Sequence, residues 1–412
     1  MSEATNYVAI ARKWRPRTLE DMVGQTHVTR TLANALASGR IHHAFLFTGA
    51  RGVGKTTAAR ALARALNCAT GPTAEPCGVC GACVDILAGT SQDVVEIDGA
   101  SNNSVESIRE LRDGVRYVPA SSRFRIYIVD EVHMLTKGAF NALLKTLEEP
   151  PPHAKFIFAT TEVNKIPETI LSRVQRFDFK RIPAGVVAAR LGSICDAEGV
   201  KLSDVALRMV ARAGEGSMRD AQSLLDQVIS FGGPAPTDVQ VAELLGLVDR
   251  GLLYLMLEGL LRGEPDRCLD AIARVFDSGY EMAQFTSELM ELLRNAALVA
   301  LSPSAHRHLD VPDEEKERLA SLAEGVSAEQ ISRIFAVLLE VHDQVAKASR
   351  PRIVLEMAVA RLVSVRPAQP VGQLVDRLVE LERRLRGSGV TASPPARGAR
   401  GRESSDDPEG ER

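Results

Sequence analysis

The sequence predicts an α/β chain: a domain built on a parallel β-sheet, then a small helical lid, then an all-helical region. Three observations carry this. Between residues 1 and 180, short apolar runs alternate with stretches of helical spacing, the pattern of a doubly wound sheet. A glycine-rich phosphate loop stands between one such run and a helix. Past residue 180 the strand signals stop, while helical spacing continues to about residue 365.

The strand runs are His43–Thr48, Val94–Ile97, Arg125–Asp130 and Lys155–Thr160. Continuous apolar stretches such as Ile126–Val129 belong to strands covered on both faces, as in parallel sheets. From 181 to 245, Val186–Ile194, Val205–Ala213 and Ala221–Ile229 read as amphipathic helices, a bundle of about three. The glycines and prolines of 232–236 make a loop, and Thr237-Asp238 then offers a helix N-cap. Over 246–365, Ile331, Ile334, Phe335, Leu338, Val341 and Val345 recur at helical spacing. Pro367 and Pro370 mark a linker, Leu374, Leu378, Leu381 and Leu385 a short amphipathic helix, and 387–412 a polar tail expected to be disordered. The expected domains are therefore 1–180 with an insertion at 68–83, 181–245, 246–365, and 366–412 as linker, helix and tail.

At 412 residues the chain is too long for one ordinary core. Its 45% hydrophobic and 25% charged content is that of a soluble globular protein, and its 4% aromatic content, with Trp14 the sole tryptophan, implies helices packed on Leu, Val and Ala. The net charge of −3 excludes a polycation. Residues 1–180 nevertheless carry 22 Lys and Arg against 18 Asp and Glu, so a nucleic-acid contact is expected as a local patch in that part. No apolar run reaches the roughly 18–20 residues of a membrane span, and no signal-peptide pattern opens the chain, so a cytoplasmic location without membrane partners is expected.

Gly49-Ala50-Arg51-Gly52-Val53-Gly54-Lys55-Thr56 fits G-x-x-x-x-G-K-[ST], preceded by the run Phe45–Thr48 and followed by the helical Thr57–Leu66. Glycines let successive N–H groups turn inward around phosphates, and the helix N-terminus adds positive potential. Lys55 is expected on the β- and γ-phosphates of ATP and the Thr56 hydroxyl on Mg²⁺. Arg125–Asp130 ends in Asp130-Glu131, which puts Asp130 beside the metal and Glu131 where it polarises the attacking water. His133 reads as structural or coupling. Arg173, at the domain edge, is either an arginine finger for a neighbour's site or one half of a surface ion pair. Arg219, at the start of a lid helix, is placed to touch the γ-phosphate of its own site.

Cys68, Cys77, Cys80 and Cys83 crowd into 16 residues, a spacing that in a cytoplasmic chain points to metal and not to disulfides. Four thiolates suit tetrahedral Zn²⁺; an iron–sulfur cluster takes the same number, but no redox module accompanies this one. The site falls on an excursion between the P-loop helix and the next strand, which makes it structural. Cys195 and Cys268 lie in helical patterns and read as buried thiols.

Several long stretches resemble the gamma/tau family of bacterial DNA polymerase III clamp loaders, which are AAA+ ATPases. They are Ala11–Pro16 with Val23-Gly24-Gln25, the P-loop, the four cysteines, Ile97–Asn102, Val129–Leu135, Asn141–Pro150, Phe156–Arg173 and Gly216–Gln227; the helical region matches more loosely, through Arg350–Arg352 and Leu355–Met357. The resemblance implies that Thr161 is the sensor-1 residue, Arg173 the finger acting in trans and Arg219 the sensor-2 arginine. It implies ATP, Mg²⁺ and Zn²⁺, delta and delta-prime partner subunits, and self-association within a hetero-pentameric ring whose collar is the helical region. The ring would open a sliding clamp on ATP binding, grip primer–template DNA without reading its sequence, and release the closed clamp on hydrolysis. Tau forms continue into polymerase- and helicase-binding domains; the polar tail ending at Arg412 makes this chain look gamma-like, so direct contact with polymerase or helicase is in doubt. For DNA, Ser101-Asn102-Asn103-Ser104 before the helical Val105–Arg112 either holds a backbone phosphate or simply caps the helix. Two competing readings are a branch-migration or recombination ATPase of the same fold, against which the cysteines stand, and a non-catalytic scaffold, against which Lys55, Thr56, Asp130 and Glu131 stand.

Overall fold

The computed structural model describes residues 7–302, 309, 311, 313–365 and 371–387. The chain forms two compact units that divide between Leu247 and Val248.

The first unit opens with α1 (Ile10–Lys13) and α2 (Thr26–Ala37) and is built on five parallel strands: β1 (Ala44–Gly49), β2 (Val94–Asp98), β3 (Arg125–Asp130), β4 (Ala154–Thr160) and β5 (Gln175–Phe179). They lie in the order β2-β3-β4-β1-β5. Because successive residues of a strand face opposite ways, the apolar runs feed two cores. Phe45, Phe47, Ile126, Ile128 and Ile157 pack with α2 and α3 (Lys55–Asn67) on one side; Leu46, Tyr127, Val129, Phe156 and Phe158 pack on the other with α5 (Val105–Gly114) and α6 (Lys137–Glu148). Between α3 and β2 runs the cysteine excursion with α4 (Gly81–Ala88), and the four-residue α7 (Glu168–Leu171) precedes β5.

The strand β5 was not expected from the sequence. Its residues Gln-Arg-Phe-Asp-Phe alternate, with only Phe177 and Phe179 turned in against Phe45 and Phe47, so an edge strand carries no continuous apolar signal. The helix after the P-loop also starts two residues earlier than expected, at Lys55.

The lid contains four helices where about three were expected: α8 (Ala184–Glu198), α9 (Asp204–Ala213), α10 (Met218–Gly232) and α11 (Asp238–Leu244). Too short to show a full amphipathic period, α11 is announced by its cap: Thr237 accepts from the Gln240 N–H, and the Gln240 side chain accepts from the Thr237 N–H. Ile10, Trp14 and Ile182 pack against the lid core of Val187, Leu191, Val210 and Leu225.

The second unit is helical throughout its described residues: α12 (Arg250–Arg262), α13 (Pro265–Asp277), α14 (Met282–Leu301), α15 (Asp313–Ala323), α16 (Ala328–Lys347), α17 (Pro351–Val363) and α18 (Val371–Gly387). The helical stripe read from Ile331 to Val345 is buried, with Phe335 partly so, and it packs against α14 and α17. Cys195 and Cys268 are both buried thiols, and burial pushes them up to about 11 and about 12. No described helix is long and apolar enough to cross a membrane. The expected linker at 366–370 and the tail from 388 lie outside the described residues.

Candidate nucleotide site and cysteine cluster

The loop between β1 and α3 wraps around the ammonium of Lys55. Its Nζ donates to the carbonyls of Gly49 and Ala50, 2.8 Å in each case. Only 5% of Lys55 is exposed; burial pulls its pKa down, while Glu131 and Asp130 act in the opposite direction. Gly52 and Gly54 take positive φ, 73° and 104°, which turns the loop's N–H groups toward the helix end. At Gly52 a side chain is also barred by space, since a Cβ would lie 1.8 Å from the Ser217 Oγ of the lid.

The ends of β3 and β4 close the site. The Thr56 hydroxyl donates to Asp130 Oδ2 at 2.6 Å, placing two hard oxygen donors side by side at the loop. Glu131 follows in the left-handed region, φ 44°, unusual for a residue with a side chain. Gly99, whose N–H donates to the Asp130 carbonyl at 2.8 Å, permits the close approach there; a Cβ on it would lie 2.7 Å from the Glu131 carbonyl. The Glu131 carboxylate accepts from the Thr161 N–H and hydroxyl, at 3.3 and 3.1 Å.

Lys55, Thr56, Asp130 and Glu131 border a cavity of about 260 Å³, with Thr161 outside its lining. Arg51 to Thr57, Asp130, Glu131 and Arg219 line it, and the Arg219 N–H donates to the Gly52 carbonyl at 3.4 Å. Sequence reasoning assigned no site role to its other walls: Ala11, Trp14, Arg15 and Pro16 before the first strand, Met22 and Val23, and Ile182, Arg190, Met218 and Gln222 of the lid. The available signal was Trp14, a lone tryptophan beside Arg15-Pro16 at a point with no strand or long helix to bury it. The indole N–H donates to Glu198 at 2.6 Å, and Lys13 pairs with the same carboxylate at 2.7 Å, tying this segment to the end of α8. The Arg190 guanidinium lies 5.8 Å from the centre of the Trp14 ring.

Arg173 does not reach this cavity. It pairs with Glu148 at 2.7 Å and donates to the Thr169 carbonyl, with its side chain 32% exposed, so within one chain it is the surface ion pair. At the N-terminus of α5, Ser104 accepts from the Ser107 N–H at 3.1 Å, so the loop caps its own helix.

In the excursion, the sulfurs of Cys68, Cys77, Cys80 and Cys83 all lie within 4.8 Å of one another. A tetrahedral site of four thiolates with bonds of about 2.3 Å sets its sulfurs about 3.8 Å apart, so this cluster is near the size a zinc ion needs. Backbone N–H groups support it: that of Cys77 donates to Cys68 Sγ at 3.2 Å and that of Cys80 to Cys77 Sγ at 3.4 Å. Burial pushes Cys83 up to about 12. Burial also raises Cys68, but hydrogen bonds from Thr70 and Cys77 outweigh it and bring that thiol down to about 6.

With this geometry in place, three family descriptions match the chain in succession: "DNA polymerase III, delta subunit" over residues 24–183, "DNA polymerase III clamp loader subunit, ATPase lid domain" over 186–234, and "DNA polymerase III subunits gamma and tau domain III" over 237–378. The Bacillus subtilis DNA polymerase III subunit tau is 39% identical over 94% of this chain and 70% of its own length. The chain belongs to the DNA polymerase III gamma/tau family. The Buchnera aphidicola subunit gamma is 36% identical over 87% of this chain and 99% of its own length, and the Escherichia coli subunit tau is 43% identical over 89% and 57%. The chain thus spans somewhat more than half of one tau relative and nearly all of a gamma relative. Solved structures of the Thermotoga maritima RuvB branch migration motor align over 60% of this chain and 79% of theirs, at 17% identity and a TM-score of 0.43, too slight a likeness to support the competing reading. As a gamma/tau subunit the chain is an AAA+ ATPase of the clamp-loader type.

Proposed function

We propose that this chain is the ATP-driven subunit of a clamp loader in which ATP binding opens a sliding clamp and engages primer–template DNA, and hydrolysis releases the closed clamp on DNA. The observation that supports it most is the convergence in one cavity of Lys55, the Thr56–Asp130 pair, Glu131 (itself held by Thr161) and Arg219, drawn from both sheet domain and lid. Lys55 takes the β- and γ-phosphates and Arg219 the γ-phosphate. Thr56 and Asp130 hold Mg²⁺, which when bound neutralises charge developing on the phosphates. Glu131 polarises the attacking water, with Thr161 fixing its carboxylate. Trp14, Pro16, Met22 and Val23 supply the apolar wall for the base.

Arg173, outside its own chain's cavity, acts on a neighbour's nucleotide after exchanging Glu148 for phosphate. A site completed in trans makes hydrolysis depend on the neighbour's position, which suits a ring that must sense assembly. The partners proposed are delta and delta-prime subunits, further copies of this chain within a hetero-pentamer, the beta clamp, and DNA bound through its backbone in a salt-sensitive way. The four cysteines hold a structural Zn²⁺. The working location is the cytoplasm.

The test is steady-state ATP hydrolysis by the chain mixed with delta and delta-prime, with and without clamp and primed DNA. Strong joint stimulation is expected, abolished by Lys55→Ala and by Arg173→Ala. Hydrolysis indifferent to clamp and DNA would remove the assigned partners. Full activity of the Arg173→Ala assembly would return that residue to a surface ion pair.

A further inference from the structure

We propose that His133 is a positioning residue for Glu131, fixing the carboxylate through one oxygen and linking it to the loop that follows β4. The proposal rests on the reading of Glu131 as the group that polarises water. His133 sits in the tight turn Val132–Met134 directly after Glu131, and its side chain is only 6% exposed. Both of its ring nitrogens face polar groups. Nδ1 lies 3.0 Å from the Thr160 hydroxyl and 3.4 Å from Glu131 Oε2; Nε2 lies 3.4 Å from Glu162 Oε1.

The Thr160 oxygen accepts from the Glu162 N–H at 3.0 Å and keeps a second lone pair, so a proton on Nδ1 can be shared between the Thr160 hydroxyl and Glu131 Oε2. Nε2 faces Oε1 of Glu162, the oxygen that Lys165 also pairs with at 2.9 Å. Thr161 delivers two donors to Oε2 of Glu131, the same oxygen that His133 flanks. One carboxylate oxygen is thereby held by the end of β4, and the other is left to accept a proton from water. Glu162 opens the segment that runs through Val163–Lys165 and α7 to Arg173, so His133 joins the hydrolytic carboxylate to the stretch bearing the exposed arginine.

A residue acting this way alters turnover and not nucleotide binding. In the assembled complex with clamp and primed DNA, His133→Phe, which replaces the imidazole with an apolar ring, should lower kcat by about tenfold or more while KM for ATP moves less than about twofold. His133→Asn, which restores a polar group near Nδ1, should recover part of the loss. In a Glu131→Gln background the same His133→Phe change should cost almost nothing, because the group it positions is gone. Affinity for a fluorescent ADP analogue and the thermal midpoint of each variant separate this from misfolding. An unchanged kcat in both His133 variants, or an undiminished loss in the Glu131→Gln background, would overturn the proposal. A Glu131→Gln protein that hydrolyses ATP at the wild-type rate would instead overturn the assignment of Glu131.

Discussion

The cavity around Lys55 and the cysteine cluster are built in opposite ways. The cavity draws on residues from Ala11 to Gln222, contributed by the N-terminal segment, the P-loop, the end of β3 and the lid. The cluster is complete within Cys68–Cys83. A site assembled from distant segments exists only in the folded unit and registers any movement of lid against sheet. A site contained in one short excursion registers neither. Their borders show the same contrast. Both ends of the excursion are stapled to one loop: the Asn67 side chain exchanges two 2.9 Å hydrogen bonds with the Phe124 backbone, and Asp93 accepts from the N–H groups of Ala120, Ser121 and Ser122. The excursion is thus fastened at its base and leaves the sheet register untouched.

The largest effect that would sharpen this contrast is expected at Gly52. Ala there must adopt a φ of 73° and place its Cβ 1.8 Å from the Ser217 Oγ that caps α10. The left-handed backbone alone costs a β-carbon residue about 1–2 kcal/mol, and the clash pushes the lid away from the loop. Gly52→Ala should therefore weaken ATP binding by about tenfold or more, measured by titration with a fluorescent analogue, while bound zinc stays constant. Equal ATP affinity would mean that loop and lid are not held in this register.

The reverse experiment is Cys80→Ser. Removing one of four thiolates should abolish stoichiometric zinc by elemental analysis and loosen residues 68–92 to proteolysis. Hydrolysis by the assembled complex should stay within about a factor of two, because no cysteine touches the cavity. A parallel collapse of hydrolysis would show that the excursion supports the nucleotide site, and the contrast would fail.

The same contrast explains what could be read from the sequence. The P-loop, Asp130-Glu131 and the cysteines are contiguous signals whose chemistry fixes their spacing, so they were legible residue by residue. Strands β1, β3 and β4 were legible because burial on both faces demands unbroken apolar runs. The apolar wall of the cavity was not: Trp14, Met22, Val23 and Met218 look like any core residues until the fold brings their segments together. Strand β5 escaped because an edge strand alternates, and helix α11 was signalled only by its N-cap at Thr237, since seven residues are too short to display a period. The link between His133 and Glu162 spans two strand ends that only the register of β3 against β4 makes neighbours. Spacing left Arg173 open between finger and ion pair and the resemblance made it the finger, while one chain's geometry shows only the pair with Glu148.

The last test concerns the staple at the base of the excursion. Asp93 is 1% exposed; burial pushes its pKa up, but the three N–H donors outweigh this and hold it below the ordinary carboxylate value. A carboxylate with a lowered folded pKa contributes stability that is fully present above its unfolded value, near 3.9, and is lost as pH falls through the folded value. Asn offers one acceptor oxygen where the carboxylate offers two, and it carries no charge. Asp93→Asn should therefore cost about 1.5–3 kcal/mol at neutral pH, the range for hydrogen bonds to a charged group. In acid the wild type loses the contribution and the variant has none to lose, so the two thermal midpoints should converge as the pH drops below about 4. A gap that stayed constant from neutral pH into acid would mean that Asp93 acts through shape and not charge. The excursion would then be held by Asn67 and packing alone.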